Sequence, residues 1–125
     1  MKIIKKHLNQ VIKEANKSTN RFKIGALIFN KKSVISTGHN YSKKSVKHLL
    51  PIFQKRKNAV HAEVDSIIKA KTDLKGMSML VIRLNAYGGL ALARPCDYCM
   101  TYIDHVGIKN IYYSNRNGDI ERIKL

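Results

Sequence analysis

Two short segments hold the residue types that could do chemistry: His61-Ala62-Glu63 and Pro95-Cys96-Asp97-Tyr98-Cys99. An imidazole and two thiols are zinc ligands, and a catalytic zinc takes three protein ligands while its fourth tetrahedral position holds water. His61, Cys96 and Cys99 make such a set, and no fourth donor of comparable quality lies near them in the sequence. Cysteines two residues apart can both reach one metal from the first turn of a helix, where the helix N-terminus also favours the thiolate. His61 and Glu63 are separated by about 200° on a helix and would diverge at mid-helix, so both serve one site only on a first turn. The motif therefore predicts a helix starting close to His61, and Val64, Ile67 and Ile68 supply its apolar face. Two thiolates cancel the formal charge of Zn²⁺, so the metal alone acidifies its bound water less than an all-histidine site would. An unligated carboxylate must then carry that proton, and Glu63 is placed for it.

These helices need a frame. The N-terminal segment 2–17 sets Ile3, Ile4, His7, Leu8, Val11, Ile12 and Ala15 at helical spacing, which makes His7 a packed residue rather than a ligand. FKIGALIFN (22–30) and SVISTGHN (33–40) read as a hairpin around Asn30-Lys31-Lys32, with Gly25 marking a close backbone approach. SMLVIRL (78–84) is nearly all apolar, as for a central strand covered on both faces. NAYGGLALAR leads as a flexible tip into the second motif. The helix after it runs to about Val106 and stops at Gly107. IKNIYYS and DIERIKL flank an Asn115–Gly118 turn too short for a parallel crossover, so they form an antiparallel hairpin. The expected architecture is α/β in three layers: a five-stranded mixed sheet with three flanking helices, in a single domain spanning 1–125.

Charge narrows the partners. The chain has 24 Lys+Arg against 8 Asp+Glu, a net +16 that favours anionic partners, nucleic acid first. A lysine-rich composition also arises from low-GC coding, and the count alone leaves both origins open. The long connection 41–60 carries Lys43, Lys44, Lys47, Lys55, Arg56 and Lys57 around Leu49-Leu50-Pro51-Ile52-Phe53. It reads either as a basic flap gripping phosphates or as a surface loop over a small apolar cluster. No run approaches the ~18 apolar residues of a membrane span. The charge-threaded N-terminus lacks a signal peptide's core, so the expected setting is the cytoplasm, with the cysteines reduced and available to metal.

With these elements in order, the chain resembles the zinc-dependent cytidine and deoxycytidylate deaminase superfamily, and its short viral and phage-type members in particular. The resemblance rests on GHN, HAEVDSI, RPCDYC and GIKNIYYS and covers nearly the whole chain. It implies a cytidine-deaminase-like fold and hydrolytic deamination, in which a zinc-activated water attacks C4 of cytosine or C6 of adenine. It implies zinc on His61, Cys96 and Cys99, proton transfer by Glu63, contact of Asn40 with sugar or base, and reading of the base edge by the Ala62 N–H. Tetrameric nucleoside deaminases often carry Cys where His61 stands. The second, structural zinc of many deoxycytidylate deaminases cannot be built from two cysteines. Transfer-RNA adenosine deaminases tend to have Met where Tyr98 stands and to continue with a further helix.

Further candidates around the substrate are Phe22, as pocket wall or core; Arg94, as a phosphate contact; and Tyr113, as a base-stacking surface or half of a packed Tyr pair. His39 and His105 are expected as scaffold. The expected reaction is cytosine to uracil in single-stranded DNA or RNA. The alternatives are free cytidine or deoxycytidine nucleotides and, further off, adenosine in transfer RNA. Oligomerisation is left open. A thiol–disulfide oxidoreductase would use the CxxC but leaves HAE unexplained, and a zinc-stabilised binding module would leave Glu63 idle.

Overall fold

A computed structural model describes residues 5–41 and 60–125. Its elements run α1 (Lys5–Ala15), β1 (Lys23–Asn30), β2 (Ser33–His39), α2 (Ala62–Ala70), β3 (Ser78–Leu84), β4 (Leu90–Ala91), α3 (Asp97–His105), β5 (Asn110–Ser114) and β6 (Ile120–Lys124). The sheet order is β2-β1-β3-β5-β6, with the two-residue β4 paired to β3. β3 and β5 are parallel, and the other pairs are antiparallel. The expected five strands, three helices and terminal hairpin are all present. Only β4 was missed: the stretch read as a flexible tip folds back on β3 through Arg83↔Ala91 and Leu84↔Leu90. The basic residues Lys43, Lys44, Lys47, Lys55, Arg56 and Lys57 lie outside the described residues.

Alternation along the strands sorts the core into two layers. Leu27, Phe29, Leu80, Ile82, Leu84 and Tyr112 face α1, where Val11 and Ala15 meet them. Ala26, Ile28, Met79, Val81, Ile111 and Tyr113 face α2 and α3, against Ala62, Val64, Ile67, Tyr102 and Ile103. Two strand glycines set how closely the helices seat. A Cβ on Gly25 would collide with the backbone of Val11 and Ala15, and one on Gly38 with the backbone of Ala62 and Ser66. The neighbour expected at Gly25 is thus α1 itself.

Topology decides where the site falls. β2, β3 and β5 all run in one direction, so α2 and α3 cross back between parallel strands. Both helices therefore begin at the edge where those three strands end. His61, Glu63, Cys96 and Cys99 meet at that edge, as do the end of β2 and the start of β1. Among the described residues, no helix is long and apolar enough to cross a membrane.

Candidate active site

The two helices open in the same unusual way. Their N-cap residues are His61 (φ −78, ψ 152) and Cys96 (φ −72, ψ 170), and neither side chain makes a capping hydrogen bond. Ser, Thr, Asp or Asn would normally stand there, with the side chain folded back on the helix N–H groups. Here the side chains point instead to one another. His61 Nδ1 lies 3.1 Å from Cys99 Sγ and 3.6 Å from Cys96 Sγ. The three donor atoms are all within 4.8 Å of one another. Tetrahedral zinc with ordinary Zn–S and Zn–N lengths needs donors roughly 3.5 Å apart, so this set fits the metal. It also suits its charge. Hydrogen bonding from Cys99, and then from His61, brings the Cys96 thiol down to about 3. The Cys99 thiol is pushed up, first by its bond to Cys96 and then by burial.

Glu63 sits one residue into α2 and is buried at 5% exposure. Burial pushes its carboxyl above the ordinary carboxylate value; among its neighbours, His61 and a hydrogen bond with Cys99 pull it down, while Cys96 pushes it further up. Its side chain interacts with Cys99, which puts the carboxyl beside the sulfurs. A cluster of three donors with a buried acid beside it matches a catalytic zinc, whereas structural zinc sites close all four positions with protein ligands.

Hydrogen bonds fix the two arms that carry these groups. On the α2 side, buried Asp65 accepts from His39 N (3.1 Å) and Tyr41 Oη (3.2 Å), and pairs with Lys69 Nζ at 2.9 Å. Ser36 Oγ donates to Ser66 O at 2.7 Å, clamping α2 to β2. On the α3 side, the fully buried Ser114 holds the strap that delivers Cys96. Its Oγ donates to Ala91 O (2.6 Å), and its carbonyl accepts from Ala93 N (2.9 Å). Sequence reasoning missed Asp65 and Ser114. An acid inside the apolar AEVDSIIKA was the available signal for the first, while nothing local marked the second.

The substrate-side candidates separate. Asn40 uses both ends of its amide around the start of β1: Nδ2 donates to Phe22 O (2.7 Å), just before the strand, and Oδ1 accepts from Ile24 N (3.0 Å) within it. Ala62 is the first helical residue, whose N–H has no helical acceptor. Phe22 is 48% exposed, so it is not a core residue, and the Arg83 guanidinium lies 4.1 Å from its ring centre. Arg94 is exposed, 5.9 Å from the Tyr113 ring. Tyr113 itself is buried at 6% and packs in the α2/α3 core, which leaves little of its ring for a base. It forms no pair with Tyr112, which faces the other layer. His39 bonds Glu14, and His7 bonds Lys32 O while packing on Phe29, so both are scaffold as expected.

Comparison with known proteins agrees with the geometry. The family model described as the cytidine and deoxycytidylate deaminase zinc-binding region matches residues 1–115, and the chain belongs to that family of zinc-dependent deaminases. Among solved structures, the dCMP deaminase of cyanophage S-TIM5 in apo form aligns with a TM-score of 0.58 at 19% identity, over 91% of this chain and 86% of that one. The same enzyme in complex with dCMP and dUMP gives 0.59 at 19% identity, over 92% and 85%. Cytidine deaminase from Mycobacterium leprae gives 0.60 at 17% identity, over 94% and 90%. At these identities the likeness is one of fold. No curated protein matches the sequence significantly.

Proposed function

We propose that the chain hydrolyses cytosine to uracil in single-stranded nucleic acid, with zinc held by His61, Cys96 and Cys99 and with Glu63 as the proton carrier. One observation carries the chemistry: Glu63 is buried beside the cysteine pair and is not one of the three clustered donors. Bound zinc supplies an acidified water at its open position. Glu63 takes the proton released as water adds to C4 and returns it to the departing amino group. Ammonia leaves and the oxygen stays on C4. Burial raises the affinity of Glu63 for that proton, which suits a group that must both accept and donate it near neutral pH. In this reading the Ala62 N–H, at the open end of α2, holds the base edge, and the Asn40 amide, bonded to Phe22 O and Ile24 N, fixes the main chain beside it.

The preference for a polymer rests on the net +16. A second reading, a free deoxycytidine nucleotide, is favoured by the match in length and fold to a phage enzyme solved with dCMP and dUMP. Both are tested by one panel of cytidine, dCMP, dCTP, single-stranded DNA, RNA and transfer RNA, each with wild type and Glu63→Ala. Conversion of oligonucleotide by wild type alone supports the first reading. Conversion of mononucleotide alone replaces it with the second, and equal product from both proteins defeats the assignment of Glu63.

A further inference from the structure

The sheet edge that carries the zinc ligands also carries a cationic pocket which the chemistry at Glu63 does not use. It has a volume of about 570 Å³ and is walled by Arg21, Phe22, Lys23, Arg83 and Asn85, with Gly88 at its rim. Three cations and no acid line it among the described residues, and none of the three cations is in an ion pair there. Arg83 pairs with Ile24 in the strand register and shares the strand face of Met79 and Val81, the face covered by α2 and α3. Its guanidinium carbon lies 4.1 Å from the centre of the Phe22 ring, and its Nε is buried without a hydrogen-bond partner among the described residues. A guanidinium positioned on a ring with donor capacity unspent is a seat for an anion.

The neighbouring turn adds a second element. Asn85 Oδ1 accepts from Tyr87 N (2.8 Å) and Gly89 N (3.0 Å), which folds the β3–β4 hairpin tightly and holds Tyr87 outward at 97% exposure. The large apolar side chains exposed among the described residues are Phe22, Tyr87 and Leu125. Phe22 lines the pocket, and Tyr87 projects from the turn between Ala86 and Gly88, both of which line it. Aromatic rings interleaved with unpaired cations are what a single strand needs, one set for base faces and the other for phosphates. A lone mononucleotide phosphate would leave Tyr87 and at least one cation without a role.

We infer that Arg21, Lys23, Arg83, Phe22 and Tyr87 form a flanking-nucleotide site, which holds a base and its phosphates next to the target cytosine of a single strand. The inference rests on the single-strand reading above, and its test does not depend on turnover. A labelled oligo(dT), which offers no cytosine, is titrated by fluorescence anisotropy onto the zinc-loaded protein at several salt concentrations. Wild type is expected to bind with an affinity that falls with salt. Arg83→Gln is expected to bind more weakly and to flatten the log–log salt slope by about 0.7, the value of one single-strand phosphate contact. Tyr87→Ala, at a fully exposed turn position, is expected to weaken binding roughly tenfold with the slope unchanged, as for loss of one stacked base. Arg83→Lys should restore the slope but not the full affinity.

If both Arg83→Gln and Tyr87→Ala bind like wild type, the site is wrong. If Arg83→Gln raises KM for dCMP while oligo(dT) affinity stays put, the pocket seats a mononucleotide phosphate and the polymer site is again wrong. Retained oligo(dT) binding with no difference between wild type and Glu63→Ala in deamination would leave this site standing and remove the deaminase assignment.

Discussion

Two glutamates, one on each side of the sheet, are equally shielded from solvent and opposite in every other respect. Glu14 on α1 and Glu63 on α2 are each 5% exposed. Glu14 lies beside the exposed Lys17 and has its needs met: Thr37 Oγ1 at 2.8 Å, His39 Nδ1 at 2.5 Å and Lys17 Nζ at 3.2 Å. Burial alone would raise its carboxyl, but these bonds outweigh it and hold the group below its ordinary value of 4.5. Glu63 lies deep, with cysteines and His61 for company, and burial wins. Shielding by itself therefore does not mark a working acid. The number and charge of the partners decide whether a buried carboxylate is a tie or a reagent.

The largest expected contrast is in catalysis. Glu63→Ala should lower turnover by about 10²- to 10⁴-fold with zinc still bound, whereas Glu14→Ala should leave kcat within a few-fold of wild type. Steady-state kinetics beside metal analysis checks this, and equal losses from the two would erase the distinction. Next in size is the metal: Cys99→Ser should leave well under one zinc per chain and background activity, read by atomic absorption on the purified protein.

Stability should show the reverse order. Glu14→Ala strands Thr37 and His39 and should cost about 2 kcal/mol in urea unfolding, the scale of a hydrogen-bonded charge. The sign of the pH effect follows from the same residue. Its folded value is depressed, so its contribution is present above about 4.5 and is lost as pH falls through the folded value. Glu14→Gln should flatten that acid limb of the stability curve. Smallest of all, Glu63→Gln in the metal-free protein should raise Tm at pH 7 slightly, because a neutral amide replaces a carboxylate that burial disfavours. A fall in Tm would mean that Glu63, too, is held mainly by its partners.

Much of this was legible beforehand, for reasons that can be named. The motif spacing demanded a helix opening near His61, and α2 opens at Ala62. SMLVIRL was read as covered on both faces, and its alternate residues do face different helices. The terminal hairpin followed from the length of its turn. What escaped notice depends on contacts between distant segments. β4 is only two residues long and exists because β3 offers an edge there. Glu14 sits in an ordinary amphipathic helix and meets its partners 23 and 25 residues away. Arg83 was absorbed into an apolar run, although a lone cation ending such a strand was the visible hint of the pocket.

The placement of the ligands has a consequence for how the molecule endures heat and proteases. His61 stands 35 and 38 residues from the cysteines, at the mouths of two different helices. An ion bridging them acts as a removable staple across that span: it binds the folded chain, leaves on unfolding, and so adds its binding free energy to stability. Supply of the ion to the cell would then govern how long the protein survives as well as how fast it works.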